Sequence, residues 1–161
     1  MLKWNQKRGG EKGMDDYEIN SETLAVVPLD EVSSKVIETD AEYIVNKKAM
    51  KIMETSCEYF GSSYEGRIRG TKKLTGVTHK SPIIVEESKE IIFFPTSSPR
   101  SWSCMWLSSK AILDVEKDNL ASKIVFKNGK DILVPASKSS LENQRYRSFK
   151  LITMLRERKE C

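Results

Sequence analysis

From residue 23 onward, apolar positions fall in short runs broken by turn-forming residues, and these runs predict strands before helices. Thr23-Leu24-Ala25-Val26-Val27 is apolar and ends at Pro28. Residues 34–38 and 42–46 flank Thr39-Asp40-Ala41 and read as a hairpin. At Ala49 the period changes: Met50, Met53, Cys57 and Phe60 recur at helical spacing, which predicts an amphipathic helix over 49–59 closed by Gly61. A second short helix is read over 64–74, although Gly66 and Gly70 oppose it.

Strands then return. Residues 82–85 and 90–94 flank Glu86-Glu87-Ser88-Lys89 as a second hairpin. Trp102, Cys104 and Trp106 alternate with Ser103 and Met105, which predicts a strand with both indoles on one side. Residues 112–116 give another strand. Asn128-Gly129, between the apolar runs 123–127 and 130–134, predicts a type I′ turn with two positive φ angles. A capping box at Ser139-Ser140-Leu141-Glu142 opens a last helix, which Tyr146, Phe149, Ile152 or Thr153, and Leu155 or Arg156 continue at helical spacing. The expectation is an α+β fold: antiparallel β-hairpins forming a sheet, a central helical segment and a C-terminal helix.

The chain has 161 residues, of which 39% are hydrophobic and 31% charged, which suits one folded domain. No run approaches the roughly 18 apolar residues of a membrane helix, so no membrane association is expected. The N-terminus lacks the apolar region of a cleaved signal. Cys57, Cys104 and Cys161 are far apart without a C-x-x-C, which matches neither a disulfide framework nor a zinc cluster and fits a reducing cytoplasm. Residues 1–13, with five charges and three glycines, stand apart from the domain at 14–161. Arg8-Gly9-Gly10-Glu11 before Met14 is what a translated purine-rich ribosome-binding sequence yields, so 1–13 is either a misassigned start or a disordered tail.

Charge separates along the chain. Residues 1–60 hold 8 Lys and Arg against 12 Asp and Glu, whereas residues 61–161 hold 19 against 11. A basic remainder of this kind points toward a polyanion.

Candidate chemistry concentrates just after the first helix. Gly61-Ser62-Ser63-Tyr64-Glu65-Gly66 has the glycine spacing of a phosphate loop, but Arg67 and Ile68 replace the lysine and hydroxyl that nucleotide hydrolysis needs. The hydroxyls of Ser62, Ser63 and Tyr64 instead suit a sugar-phosphate strand. Arg67, Arg69, Lys72, Lys73 and Lys80 add five positive charges within 61–80 against Glu65 alone. A nucleic-acid contact and a solvated basic face both account for them. On a helix Arg67 and Arg69 would diverge; in a loop or strand both could reach DNA. Arg145, Arg147, Lys150, Arg156, Arg158 and Lys159 form a second basic set on the last helix, read first as a soluble exterior, with Asn143, Gln144 and Tyr146 able to hydrogen-bond bases or phosphates. Ser98-Pro99-Arg100-Ser101 is a turn that could present one guanidinium. A single histidine, His79, and cysteines on apolar faces leave no catalytic constellation and no cofactor or metal site, so no enzyme is expected. The tryptophan pair reads as core rather than as a base-stacking platform.

Together these fragments carry a resemblance. Tyr17-Glu18-Ile19-Asn20, Ser56-Cys57, Phe60-Gly61-Ser62-Ser63-Tyr64, Gly66-Arg67 and Gly70-Thr71 occur in one collinear order with His79-Lys80, Pro82-Ile83 and Phe94-Pro95-Thr96. Arg100, Cys104, Trp106, Asn128-Gly129-Lys130, Glu142-Asn143-Gln144 and Tyr146-Arg147 follow. Over roughly residues 15–155 the chain resembles the ComK competence transcription factors of Gram-positive bacteria.

The resemblance implies a cytoplasmic, nucleoid-associated activator of DNA-uptake and recombination genes. It would bind paired A/T-rich boxes in double-stranded DNA, chiefly through the minor groove, as dimers on the promoter, and act on RNA polymerase. A·T tracts narrow that groove and deepen its negative potential, which favours Arg and Lys. On this reading Arg67 and Arg69 contact groove or phosphate, Lys72, Lys73, His79 and Lys80 contact phosphate, and Arg100, Arg145 and Arg147 support them. Family members usually run on into a C-terminal segment used in activation and in recognition by an adaptor of a Clp-type protease. This sequence stops at Cys161, soon after the last helix, as a short form or a truncated frame would. The competing expectation is a non-DNA interaction module that pairs with a full-length ComK-type regulator and modulates it.

Overall fold

A computed structural model describes residues 13–160; the expectations placed on residues 1–12 lie outside the described residues. Strands β1 (Thr23–Pro28), β2 (Ser34–Glu38) and β3 (Glu42–Val45) lead into helices α1 (Ala49–Tyr59) and α2 (Tyr64–Thr75). Strands β4 (Ile83–Glu86), β5 (Ile91–Pro95) and β6 (Trp106–Ser108) follow. The meander β7 (Ile112–Asp118), β8 (Ala121–Phe126) and β9 (Asp131–Val134) precedes the C-terminal helix α3 (Lys138–Lys159). The first six strands form an antiparallel sheet in the order β3-β2-β1-β6-β5-β4, and the meander forms a second sheet. The α+β fold expected from the sequence is the fold observed.

Alternation in the strands assigns each face of the large sheet. Val26, Val36, Phe93 and Trp106 pack with Ile52, Met53 and Cys57 of α1, all of them buried. Their neighbours Ala25, Ile37, Phe94 and Leu107 turn the other way, onto Ile124, Phe126 and Val134 of the meander and Leu141 of α3. Farther along α3, Leu151 covers Ile84 and Ile92. The large sheet is therefore the middle layer, with α1 on one side and the meander and α3 on the other. Each buried apolar side chain of this size contributes about 1.5–3 kcal/mol.

The second helix forms despite its glycines because both ends are fixed. The Ser63 hydroxyl accepts from the Gly66 amide at 2.9 Å, and Gly76 closes the helix with φ 80°, where a side chain would be strained. The buried Thr71 hydroxyl donates to the Pro82 carbonyl at 2.6 Å, fixing α2 to the segment before β4.

Several local expectations are corrected. In α1 the fully buried set is Ala49, Ile52, Met53, Ser56 and Cys57, while Met50 and Phe60 are only partly covered. Ser56 belongs inside because its hydroxyl accepts from the Ile19 amide. Trp102 is not in a strand: β6 starts at Trp106, and the two indoles part company, Trp102 half exposed and Trp106 fully buried. Asn128-Gly129 is not a type I′ turn, since Gly129 has φ 92° and Asn128 has none of the positive φ that turn needs. Instead Phe126 bonds Lys130 and Gly129 bonds back to Phe126, a three-residue loop ending in a left-handed glycine. Tertiary contacts select it: Asn128 Nδ2 donates to the Thr39 carbonyl and Lys130 Nζ to that of Glu38, docking the hairpin on the β2–β3 turn. Helix α3 starts earlier than its predicted box, capped by Ser137. Its buried positions are Leu141, Gln144, Ser148 and Leu151, which leaves Tyr146 and Phe149 outside.

Candidate nucleic-acid interface

The helical state of α2 decides where its cations go. Arg67 and Arg69 diverge, as a helix requires. Arg67 is partly buried, and its Nε has no hydrogen-bond partner. Arg69 is exposed and curls back along the first turn: its Nη2, the Ser63 hydroxyl and the Ser62 hydroxyl lie 3.9, 3.0 and 3.5 Å from where a Cβ on Gly66 would sit. A Cβ at 66 would crowd only the Ser63 hydroxyl that caps the helix; the other two distances are ordinary contacts. Lys72 and Lys73 are exposed in the last turn, where cations complement the helix dipole.

A groove of ≈ 890 Å³ runs beside α2. One wall is helical, with Lys48 and Met50 at the start of α1, Glu54 one turn on, and Tyr64, Glu65 and Ile68 from α2. The rest of the lining comes from two loops: 78–81, carrying His79 and Lys80, and 98–104, carrying Pro99, Arg100 and Trp102. Buried Trp106 closes the floor, and Tyr64 meets it edge-on at 6.1 Å between ring centroids. His79, Lys80 and Arg100 are all exposed, so Lys80 and Arg100 make the loop lining a cationic lip, while the helical lining carries Glu54 and Glu65 together with Lys48.

The lip is held from behind by α3. Gln144, 4% exposed, donates through Nε2 to the carbonyls of Lys80 and Pro95, both at 2.8 Å. Arg147 Nη1 donates to the His79 carbonyl at 2.9 Å and to Gln144 Oε1 at 3.3 Å. Lys80 itself has φ 50°, a left-handed backbone that costs a non-glycine residue energy and that these bonds maintain. On the other side of the lip, the Cys104 thiol donates to the Ser97 carbonyl and the Thr96 amide bonds that of Met105.

Of the residues singled out from sequence, the groove brings together Tyr64, His79, Lys80 and Arg100. Ser62, Ser63 and Arg69 gather at the first turn of α2, beside it rather than in it. Arg147 reaches the lip only by donating from its guanidinium to the His79 backbone carbonyl. Arg145 is turned elsewhere, donating to the Ile112 carbonyl and lying 5.9 Å from the Phe149 ring centre. Sequence reasoning missed Lys48, Glu54 and Trp102. Glu54 had a signal, a polar residue on the charged side of a predicted helix, and Lys48 stands just before that helix; Trp102 was hidden by an alternation that imitates a strand.

The Tyr64 phenol and the Cys57 and Cys104 thiols favour neutral forms. Burial pushes the Tyr64 phenol up to about 12 and the Cys57 thiol up to about 11, and it raises Cys104 as well. Neither thiol is an activated nucleophile. Among the described residues no group of three His, Cys, Asp or Glu could hold a metal ion, and no helix is long and apolar enough to cross a membrane.

Residues 14–160 match the family model of the ComK protein. The chain belongs to the ComK family. A relative named competence transcription factor, from Bacillus subtilis (strain 168), is 38% identical over 149 residues, covering 90% of this chain and 78% of the relative. No solved structure matches. The ComK assignment places the chain among competence transcription factors, and the cationic groove is the feature to weigh against that role.

Proposed function

We propose that this ComK-family chain is a DNA-binding transcriptional activator of competence genes, working in the cytoplasm on the nucleoid. It binds A/T-rich boxes mainly through the minor groove. The observation that carries the reading is the cationic lip: Lys80 and Arg100, from two separate loops, line one groove beside His79, and α3 braces the Lys80 loop from behind. Phosphates run along that lip, while Glu54 and Glu65 repel them locally on the helical lining, where Lys48 offsets part of that repulsion. Arg69 with Ser62 and Ser63 offers a second phosphate contact at the start of α2, and Lys72, Lys73 and Arg67 add to the field. Arg147 supports the lip and Arg145 contributes charge alone. Two copies pair on adjacent boxes and engage RNA polymerase; control by a protease adaptor belongs to the same family reading.

A gel-shift titration on A/T-box duplex, beside a scrambled G/C-rich control, tests this. Neutralising ~4–6 phosphates gives log affinity against log salt a slope of about −4 to −5. Failure to bind the A/T duplex even in dilute buffer, alone or mixed with a full-length ComK, would overturn the reading.

A further inference from the structure

Trp102 is the largest side chain of the groove that faces solvent, 48% exposed at the lip two residues after Arg100. Its backbone is tightly bonded. The Ser101 amide donates to the Ser98 carbonyl at 3.0 Å and the Cys104 amide to the Ser101 carbonyl at 3.1 Å, so Trp102 lies within a hydrogen-bonded turn that directly follows another. The Ser101 and Ser103 hydroxyls bond across it at 2.8 Å. An indole can bury 150–250 Å², and Trp106, four residues on, is wholly covered. A fixed loop that instead holds an indole half in water, among cations, is built to put that ring against a flat apolar surface belonging to an anionic partner.

We propose that Trp102 is a wedge that enters between two base pairs from the minor groove and kinks the duplex over the lip. This rests on the reading of the groove as a DNA interface. Stacked bases supply the flat apolar faces, and unstacking one step costs a few kcal/mol, offset when the bent duplex meets more protein surface. The narrow minor groove of a stiff A-tract resists such a kink, whereas a TA step yields easily. The wedge therefore belongs at a TA step flanking the box, with Arg100 seated on the narrowed groove beside it.

The test uses the full chain and an A/T-box duplex of about 30 base pairs, carrying dyes at its ends and 2-aminopurine at the flanking TA step. The wild-type protein should shorten the end-to-end distance and raise 2-aminopurine fluorescence. Trp102→Ala should bind about tenfold more weakly and leave the duplex straight, while Trp102→Phe keeps both signals. Thermal unfolding of Trp102→Ala should match wild type, since half the ring is already in water. Wild-type binding with a straight duplex, or equal bending by Trp102→Ala, would overturn the wedge and leave the DNA reading standing. Absence of wild-type binding would overturn both.

Discussion

Gln144 and Lys80 are joined by a 2.8 Å hydrogen bond from the buried amide of one to the backbone carbonyl of the other. A residue of the last helix thereby sets the position of a loop more than sixty residues earlier. The same nitrogen also holds the Pro95 carbonyl at 2.8 Å, on the strand that leads to the Arg100 loop. One side chain registers both halves of the cationic lip.

Replacing Gln144 with Met should therefore do two things. Stability should fall by about 1–3 kcal/mol, because two carbonyls lose their donor in a buried setting, as urea unfolding would show. Affinity for A/T-box DNA should fall while the salt slope stays within experimental error of wild type, since no charge is removed. A normal affinity in the folded variant would show that the lip keeps its shape without this bond.

Arg100→Ala should act differently. Loss of one phosphate-directed cation lowers the magnitude of the salt slope by about 1 and weakens binding by about 1 kcal/mol or more. Lys80→Ala should give a similar change. A titration at several salt concentrations separates this signature from that of Gln144→Met, and an unchanged slope would remove the mutated residue from the contact.

Glu54 and Glu65 predict the opposite sign. If the duplex lies in the groove, each carboxylate opposes it, and Glu54→Gln or Glu65→Gln should tighten binding by a few-fold at low salt. The gain should fade as salt rises, because the Debye length shortens to roughly 8 Å at physiological ionic strength. Equal affinity of both variants and wild type in dilute buffer would place the duplex away from this wall.

Much of this architecture is legible in the chain. Hairpins announce themselves where short apolar runs meet turn residues, as at 34–45 and 83–94, because pairing there is local. Helix existence is legible as well; which face is buried is not. Phe149 is as apolar as Leu141 and Leu151, and only the neighbouring sheet decides that the two leucines go inside. The groove is the least legible part, since it depends on two loops brought beside α1 and α2 by sheet order. Gln144 was visible as a hydrogen-bonding residue, but nothing local says that its partners are protein carbonyls.

Alkaline stability follows from Tyr17. Burial, then its hydrogen bond to Glu38, raises this phenol far above its ordinary value near 10, so the folded state keeps a proton that the unfolded state releases. Above pH 10 the unfolded chain binds fewer protons than the native one, and stability falls as pH rises. The contribution is complete below pH 10 and is lost at up to about 1.4 kcal/mol per pH unit. Tyr64, raised to about 12, adds to the same trend until it ionises in the native state. Tyr17→Phe should remove part of this dependence, at a cost near neutrality of about 1–3 kcal/mol because Glu38 loses a buried donor. Urea unfolding at pH 8, 10 and 11 checks both parts; parallel curves for wild type and Tyr17→Phe across that range would contradict the assignment.

The hairpin between β8 and β9 gives a prediction about folding rather than recognition. Gly129, at φ 92°, has open space where a Cβ would sit, so any penalty at this position is backbone strain and not crowding. A β-branched side chain resists that φ most, and Gly129→Val should destabilise the protein by more than the ~1 kcal/mol typical of Gly→Ala at a left-handed site. The damage should spread, because the turn holds Asn128 and Lys130 on the Thr39 and Glu38 carbonyls and so couples the meander to the large sheet. At a temperature where the variant remains folded, DNA affinity should equal that of wild type, since the turn lies outside the groove. A stable variant with impaired binding would reverse this assignment and make the turn part of the interface.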